Sequence, residues 1–178
     1  MPEGDTIHRS ARRLKPLLEN AHITDASDNG RFVDARQLVG ARFSQVEARG
    51  KHLLMRLDDG RVLHSHMGMT GSWHTYQLEE PWRKSPRRAA LAMTVSVEQT
   101  QAKVVCFSPK VLELLSKTQF RRHAFLNRLG PDLMLDGFDA DKVLGRFRVH
   151  NLAPIGEAVR TKRSSAESAM STSRRRFF

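Results

Sequence analysis

Cysteine is almost missing from this sequence: Cys106 is the single thiol in 178 residues. That excludes an internal disulfide framework and any zinc site built from several cysteines. Long hydrophobic runs are missing as well, none approaching the ~20 residues of a membrane-spanning helix. The N-terminus, Met1-Pro2-Glu3-Gly4-Asp5, is acidic where a secretory signal is basic and then apolar. These absences predict a soluble, cytoplasmic protein with no membrane partner. The length suits one domain with a real core and part of a second. No internal repeat is visible.

Acidic residues are scarce too. Lys and Arg total 30 against 19 Asp and Glu, a formal charge of +11. Residues 159–178 hold six basic residues and one acid, Glu167, a local +5 that leaves +6 for the other 158. Such an excess favours a polyanionic partner, nucleic acid first, because phosphate neutralisation supplies much of that affinity. A solubilising surface is the alternative reading, so charge alone does not decide function.

The apolar pattern divides the chain. Ile7, Ala11, Leu14, Leu17 and Leu18 recur at helical spacing between Asp5 and Glu19, with Pro16 expected to kink or end that helix. From His22 to about Ser108 short β segments follow. Phe43, Val46 and Ala48 lead into His52–Leu57, and Asp59-Gly60 reads as a hairpin turn into Arg61–His66. Further strands are expected at 72–77, 89–98 and 102–107, with 79–88 as an exposed loop. This spacing predicts an antiparallel sandwich or barrel-like sheet. Beyond Gly130-Pro131-Asp132 the period becomes helical again, with Asp139 as a helix cap and Pro154 in the first turn of another helix. From Arg160 to Arg176 apolar residues nearly vanish, and that tail is expected to stay disordered.

Three features could carry chemistry. Removal of Met1 would leave Pro2 as a secondary amine, with a pKa near ~8 and so partly unprotonated at neutral pH. Such an amine condenses with an aldehyde-level carbon to a cationic iminium, an electron sink for elimination, and Glu3 beside it could move the proton. Pro2 is also simply a common second residue. Lys51, in Arg49-Gly50-Lys51, falls where a turn between strands would present its ammonium to a phosphate or to solvent. His64 and His66 share one side of a strand and could bind a metal, although no third ligand is evident. The Met67-Gly68-Met69-Thr70-Gly71 loop after them could offer a methionine wedge to stacked bases, or only a core methionine beside a turn.

Taken in order, Met1-Pro2-Glu3-Gly4-Asp5, Arg49-Gly50-Lys51-His52-Leu53, Ser65-His66-Met67-Gly68-Met69-Thr70-Gly71-Ser72-Trp73 and Leu129-Gly130-Pro131-Asp132 resemble the formamidopyrimidine-DNA glycosylase/endonuclease VIII family. The Pro-Glu-Gly start and the Gly-Ser-Trp after the loop are closer to its endonuclease VIII branch. The resemblance covers about residues 1–158. It implies a mainly β fold with α: an N-terminal helix and a two-layer antiparallel β-sandwich over 1–128, then the start of a helix-two-turn-helix domain over 129–158.

It also implies a base-excision DNA glycosylase and abasic-site lyase that acts on oxidised bases flipped from double-stranded DNA. Pro2 would form the Schiff base at C1′, Glu3 would protonate the opening sugar, and Lys51 would serve β-elimination and hold a phosphate. Met69 would fill the gap left by the flipped base, with His66 and Arg128 along the DNA backbone. A monomer is expected. The preferred lesion, oxidised pyrimidine or purine, stays open.

Past Ala158 the sequence departs from the family. The Gly-Ile-Gly-Asn-Val-Tyr segment and the four-cysteine zinc finger are absent, so no metal and no cofactor are expected. A shifted reading frame accounts for the departure: codons for Ala166–Arg174 can spell Gly-Ile-Gly-Asn-Val-Tyr-Lys-Ser one base out of phase. Residues 159–178 are accordingly expected to be an aberrant basic tail that follows a frameshift near 158–160, and the chain to be C-terminally truncated. Two other readings remain at this stage. One is a catalytically inactive remnant or passive basic DNA-binding module; the other is an unrelated β protein that binds metal through His64 and His66.

Overall fold

The computed structural model describes residues 3–98, 100–124 and 126 of the chain. Helix α1, Glu3–Leu18, buries Ile7, Ala11, Leu14 and Leu18, a stripe at spacings of four, three and four. The helix runs through Pro16 instead of stopping there. Pro16 lies in the last turn, so its missing N–H costs only one rung of the ladder. Asn20 then takes a left-handed φ of +70°, a common way to end a helix without glycine, and its N–H bonds to the Phe43 carbonyl at 2.8 Å.

Eight strands follow: β1 His22–Asp28, β2 Phe43–Arg49, β3 His52–Leu57, β4 Val62–His66, β5 Ser72–Tyr76, β6 Ala89–Val97, β7 Thr100–Phe107 and β8 Val111–Leu115. They form two four-stranded antiparallel sheets, in the orders β1-β6-β7-β5 and β2-β3-β4-β8. The two-layer sandwich with an N-terminal helix is the architecture expected. The Asp59-Gly60 hairpin is also present, with Arg56 opposite Val62 across β3 and β4.

Alternation along the strands assigns each residue to a layer. In β3, Leu53, Met55 and Leu57 enter the main core with Phe43, Leu63, Trp73, Leu91, Met93, Val104 and the α1 stripe. Leu54 points the other way, into a smaller cluster with Val62, Leu115 and Leu126, against which Phe120 packs. β3 is thus covered on both faces, which explains its near-continuous apolar run. The outer cover comes from α2, Lys117–Arg122, which sequence periodicity did not reveal; Ser116 and Gln119 close a capping box at its start. The outer face of the other sheet gathers Tyr76, Ala92, Val105 and Phe107. The 79–88 loop is mostly exposed, as expected, but Trp82 anchors it there, its ring centroid 5.8 Å from that of Phe107.

Cys106 lies in the core, where burial pushes its thiol well above the ordinary range, so it is no nucleophile in the folded state. The helices expected at 138–147 and 153–158, the helix-two-turn-helix portion and the basic tail lie outside the described residues. No helix among the described residues is long and apolar enough to cross a membrane.

Candidate active site

Three segments meet at a cleft of about 270 Å³: Thr6 and Ile7 from α1, Lys51 from the β2–β3 turn, and His66 with Met67, Gly68, Met69 and Gly71 from the end of β4 and the loop after it. Arg49 pairs with His52 across β2 and β3, leaving Gly50-Lys51 as a two-residue turn. Gly50 takes φ +60°, the left-handed backbone that such hairpins demand, and the turn carries Lys51 to the cleft wall.

The 67–71 loop is closed by the Gly71 N–H, which bonds to the Met67 carbonyl at 3.0 Å. Gly68 N–H donates to His66 Nδ1 at 3.0 Å, and the His66 carbonyl accepts from Lys110 N–H at 2.9 Å. With Nδ1 accepting, the His66 ring has its N–H donor at Nε2. Met67 turns into the core, whereas Met69 stands 90% exposed at the tip. Val39 and Met69 are the large apolar side chains left exposed among the described residues, and Met69 is by far the more so.

A second lysine adjoins the loop. Lys110 runs beside Gly68, close enough that a Cβ built there would lie 3.2 Å from the lysine's own Cβ. On β5, burial first and then the charges of Lys84, Arg13 and Arg83 hold His74 below its ordinary pKa. His74 itself packs against Tyr76 and Phe107 on the outer face of its sheet and does not line the cleft.

Of the residues singled out from sequence, Lys51, His66 and Met69 line one cleft. Glu3 is the first residue of α1, the helix whose Thr6 lines the same cleft. Pro2 and Arg128 lie outside the described residues.

His64 does not line the cleft that His66 lines. It is 2% exposed on the outer face of its sheet, with its Nδ1 2.7 Å from Glu113 Oε1 and its Nε2 2.7 Å from His52 Nδ1. His123 Nε2 lies 3.3 Å from the same Glu113 oxygen. Sequence reasoning missed Glu113 and His123. The available signal was an acid inside the apolar run Val111-Leu112-Glu113-Leu114-Leu115. Burial pushes the His64 pKa down despite the Glu113 carboxylate, so the ring is neutral at neutral pH.

A family model described as the formamidopyrimidine-DNA glycosylase N-terminal domain matches residues 1–111. The chain belongs to the formamidopyrimidine-DNA glycosylase/endonuclease VIII family. Among its curated relatives, a probable endonuclease 8 2 of Streptomyces coelicolor is 31% identical over 166 residues, covering 93% of this chain and 58% of the relative. An endonuclease 8 of Escherichia coli is 30% identical over 138 residues, 75% of this chain and 50% of the relative. The family fold is shared with the Lactococcus lactis formamidopyrimidine-DNA glycosylase bound to DNA containing an abasic site, at TM-score 0.69 and 19% identity over 93% of this chain and 63% of that one. A MutM complex with DNA containing carbocyclic 8-oxo-G matches at TM-score 0.66 and 22% identity, over 93% of this chain and 62% of that one.

The chain therefore spans between half and about three-fifths of the length of these relatives. The endonuclease 8 names of the curated relatives agree with the branch that the Pro-Glu-Gly and Gly-Ser-Trp segments indicated. The four-cysteine zinc site that the resemblance implies does not fit the residues present, since the one cysteine is buried in β7.

Proposed function

We propose that this chain carries the lesion-facing half of a base-excision DNA glycosylase and abasic-site lyase for oxidised bases in double-stranded DNA. The observation that supports it is the convergence of Lys51, His66 and Met69 on one cleft walled by α1, in a chain of this family. In this reading the Pro2 nitrogen attacks C1′ of the damaged nucleotide and the base departs. The sugar ring opens as Glu3 protonates it, which leaves a cationic iminium. Loss of a proton from the neighbouring carbon then expels the 3′-phosphate and cuts the strand. Lys51 serves that elimination or neutralises the phosphate. His66 donates from Nε2 to a backbone phosphate with Arg128 further along it, and Met69 occupies the space of the flipped base. The chemistry draws on the chain's own amine and acid and on no cofactor, in a monomer of the bacterial cytoplasm.

Borohydride trapping on an abasic-site duplex tests the proposal. A covalent adduct from folded, Met1-free chain supports it. Salt-dependent binding without adduct or strand scission overturns it in favour of a passive basic DNA-binding module.

Met69 provides an independent check. Met69→Ala is expected to leave the thermal midpoint within the error of a surface substitution, since the side chain packs against little. Affinity for the abasic duplex should fall about tenfold, roughly 1.4 kcal/mol. Unchanged affinity in a titration at fixed salt would remove Met69 from the proposed DNA-contacting set.

A further inference from the structure

The outer face of the β2-β3-β4-β8 sheet carries a cluster that the glycosylase reading does not use. His64 on β4 and Glu113 on β8 are direct cross-strand partners. His123, the residue after α2, closes over them. One ligand atom from each of the three lies within 4.8 Å of the others. We propose that His64, Glu113 and His123 form a divalent-cation site of zinc-class preference, unrelated to the family's cysteine site.

The donor set is two imidazoles and one carboxylate, which zinc takes at about 2.0–2.2 Å with a fourth position open. Imidazole donors favour zinc-like ions over magnesium or calcium. Ligands at that distance in a tetrahedron stand roughly 3.4 Å apart. The 3.3 Å between Glu113 Oε1 and His123 Nε2 already matches, and the 2.7 Å between Glu113 Oε1 and His64 Nδ1 has to open slightly.

The surroundings suit a ligand. His52 Nδ1 faces His64 Nε2 at 2.7 Å, so the far nitrogen of the most buried imidazole is held, as metal-bound histidines require. In the hydrogen-bonded arrangement, the His64 and His123 N–H groups both point at Glu113 Oε1. A cation replaces those two protons, which move to the far ring nitrogens; His64 Nε2–H then donates to His52 Nδ1, whose own proton moves to His52 Nε2.

For His123 that move has a visible consequence. Its Nδ1 accepts from Leu126 N–H at 3.1 Å, and a proton arriving on Nδ1 breaks that bond. Loading is thus coupled to the segment that follows α2. The proposal does not depend on catalysis.

The test is calorimetric titration of metal-free 178-residue chain with zinc chloride in a non-coordinating buffer at neutral pH, with magnesium as comparison. One zinc per chain is expected, with no response to magnesium and with shifts of the His64 and His123 ring nitrogen signals by NMR. Glu113→Gln and His123→Gln should each weaken binding by about tenfold or more. His123 is partly exposed, so its variant tests the site with little risk to the fold. Binding of equal strength in both variants would place the metal on other imidazoles, such as exposed His22, and overturn the site. Absence of saturable zinc binding would overturn it equally, leaving a hydrogen-bonded network alone.

Discussion

Gly71→Ala is expected to destabilise the fold by about 3 kcal/mol, near the upper end for overpacking. For a chain of this size that lowers the thermal midpoint by roughly 6–12 °C. The reason is not conformational freedom. A Cβ at residue 71 would stand 2.4 Å from the Met67 carbonyl oxygen, 2.9 Å from Met67 Cα and 3.0 Å from the Ser108 carbonyl oxygen. All three are backbone atoms, so no rotamer change relieves the contact. Met67 is fixed by its buried side chain and by the bond from Gly71 N–H, and Ser108 follows directly on β7 with a left-handed φ of +43°.

Gly68→Ala makes the decisive comparison. Gly68 has the unusual backbone, φ +61°, but the nearest atom its Cβ would meet is Lys110 Cβ at 3.2 Å, a contact that a shift of a few tenths of an ångström relieves, against 2.4 Å to a backbone oxygen at residue 71. Its cost is the left-handed penalty of about 1–2 kcal/mol. Thermal melts of the two variants should therefore rank Gly71→Ala as the more damaging. The reverse order would mean that the close approach of residues 67, 71 and 108 does not hold the loop. Met69 is carried by that loop, so Gly71→Ala should also degrade binding to an abasic duplex more than Met69→Ala does.

How far the sequence disclosed this arrangement depends on the range of the interactions. α1, the β3–β4 hairpin and the Gly50-Lys51 turn are set by local spacing and turn chemistry and were legible there, except that α1 runs on through Pro16. β8 was invisible for a physical reason. Val111–Leu115 is short, apolar on both faces and interrupted by one acid, and a run of that length carries no distinguishing period. Its partner β4 lies far away in sequence, and His64 finds Glu113 across 49 residues. The short α2 was missed because most of its burial is borrowed: Phe120 rests on Leu54, Val62 and Leu115 of the sheet beneath. The cleft was legible only as an ordered set of motifs, each weak by itself. The histidine cluster was half legible, since same-side spacing singled out His64 but gave no sign of Glu113 or His123, which only the fold brings to it. His66, two residues on, faces the cleft instead.

Capping the N-terminal nitrogen is expected to abolish trapping outright, whereas Lys51→Ala should only slow strand scission, by about 10²–10⁴-fold. The contrast follows from what each group contributes to the proposed step. The Pro2 nitrogen is the atom that bonds to C1′. A chain that keeps Met1, or carries a short N-terminal extension, turns that nitrogen into an amide with no nucleophilic lone pair. Pro2→Gly is the milder case: the amine survives but is primary, and its imine must gain a proton before it can draw electrons. Borohydride adduct should then fall without vanishing. Lys51 makes no bond to carbon in this scheme. Its ammonium, presented by a two-residue turn on the cleft wall, moves a proton or neutralises the departing phosphate. Lys51→Ala should therefore leave adduct on a pre-formed abasic site nearly intact and depress the cleaved product, with a melting profile unchanged by a substitution in a turn. Adduct from an amide-capped chain would move the nucleophile elsewhere, with Lys51 the first residue to test. Adduct and cleavage lost in equal measure in Lys51→Ala would make the lysine, not the terminal amine, the covalent partner.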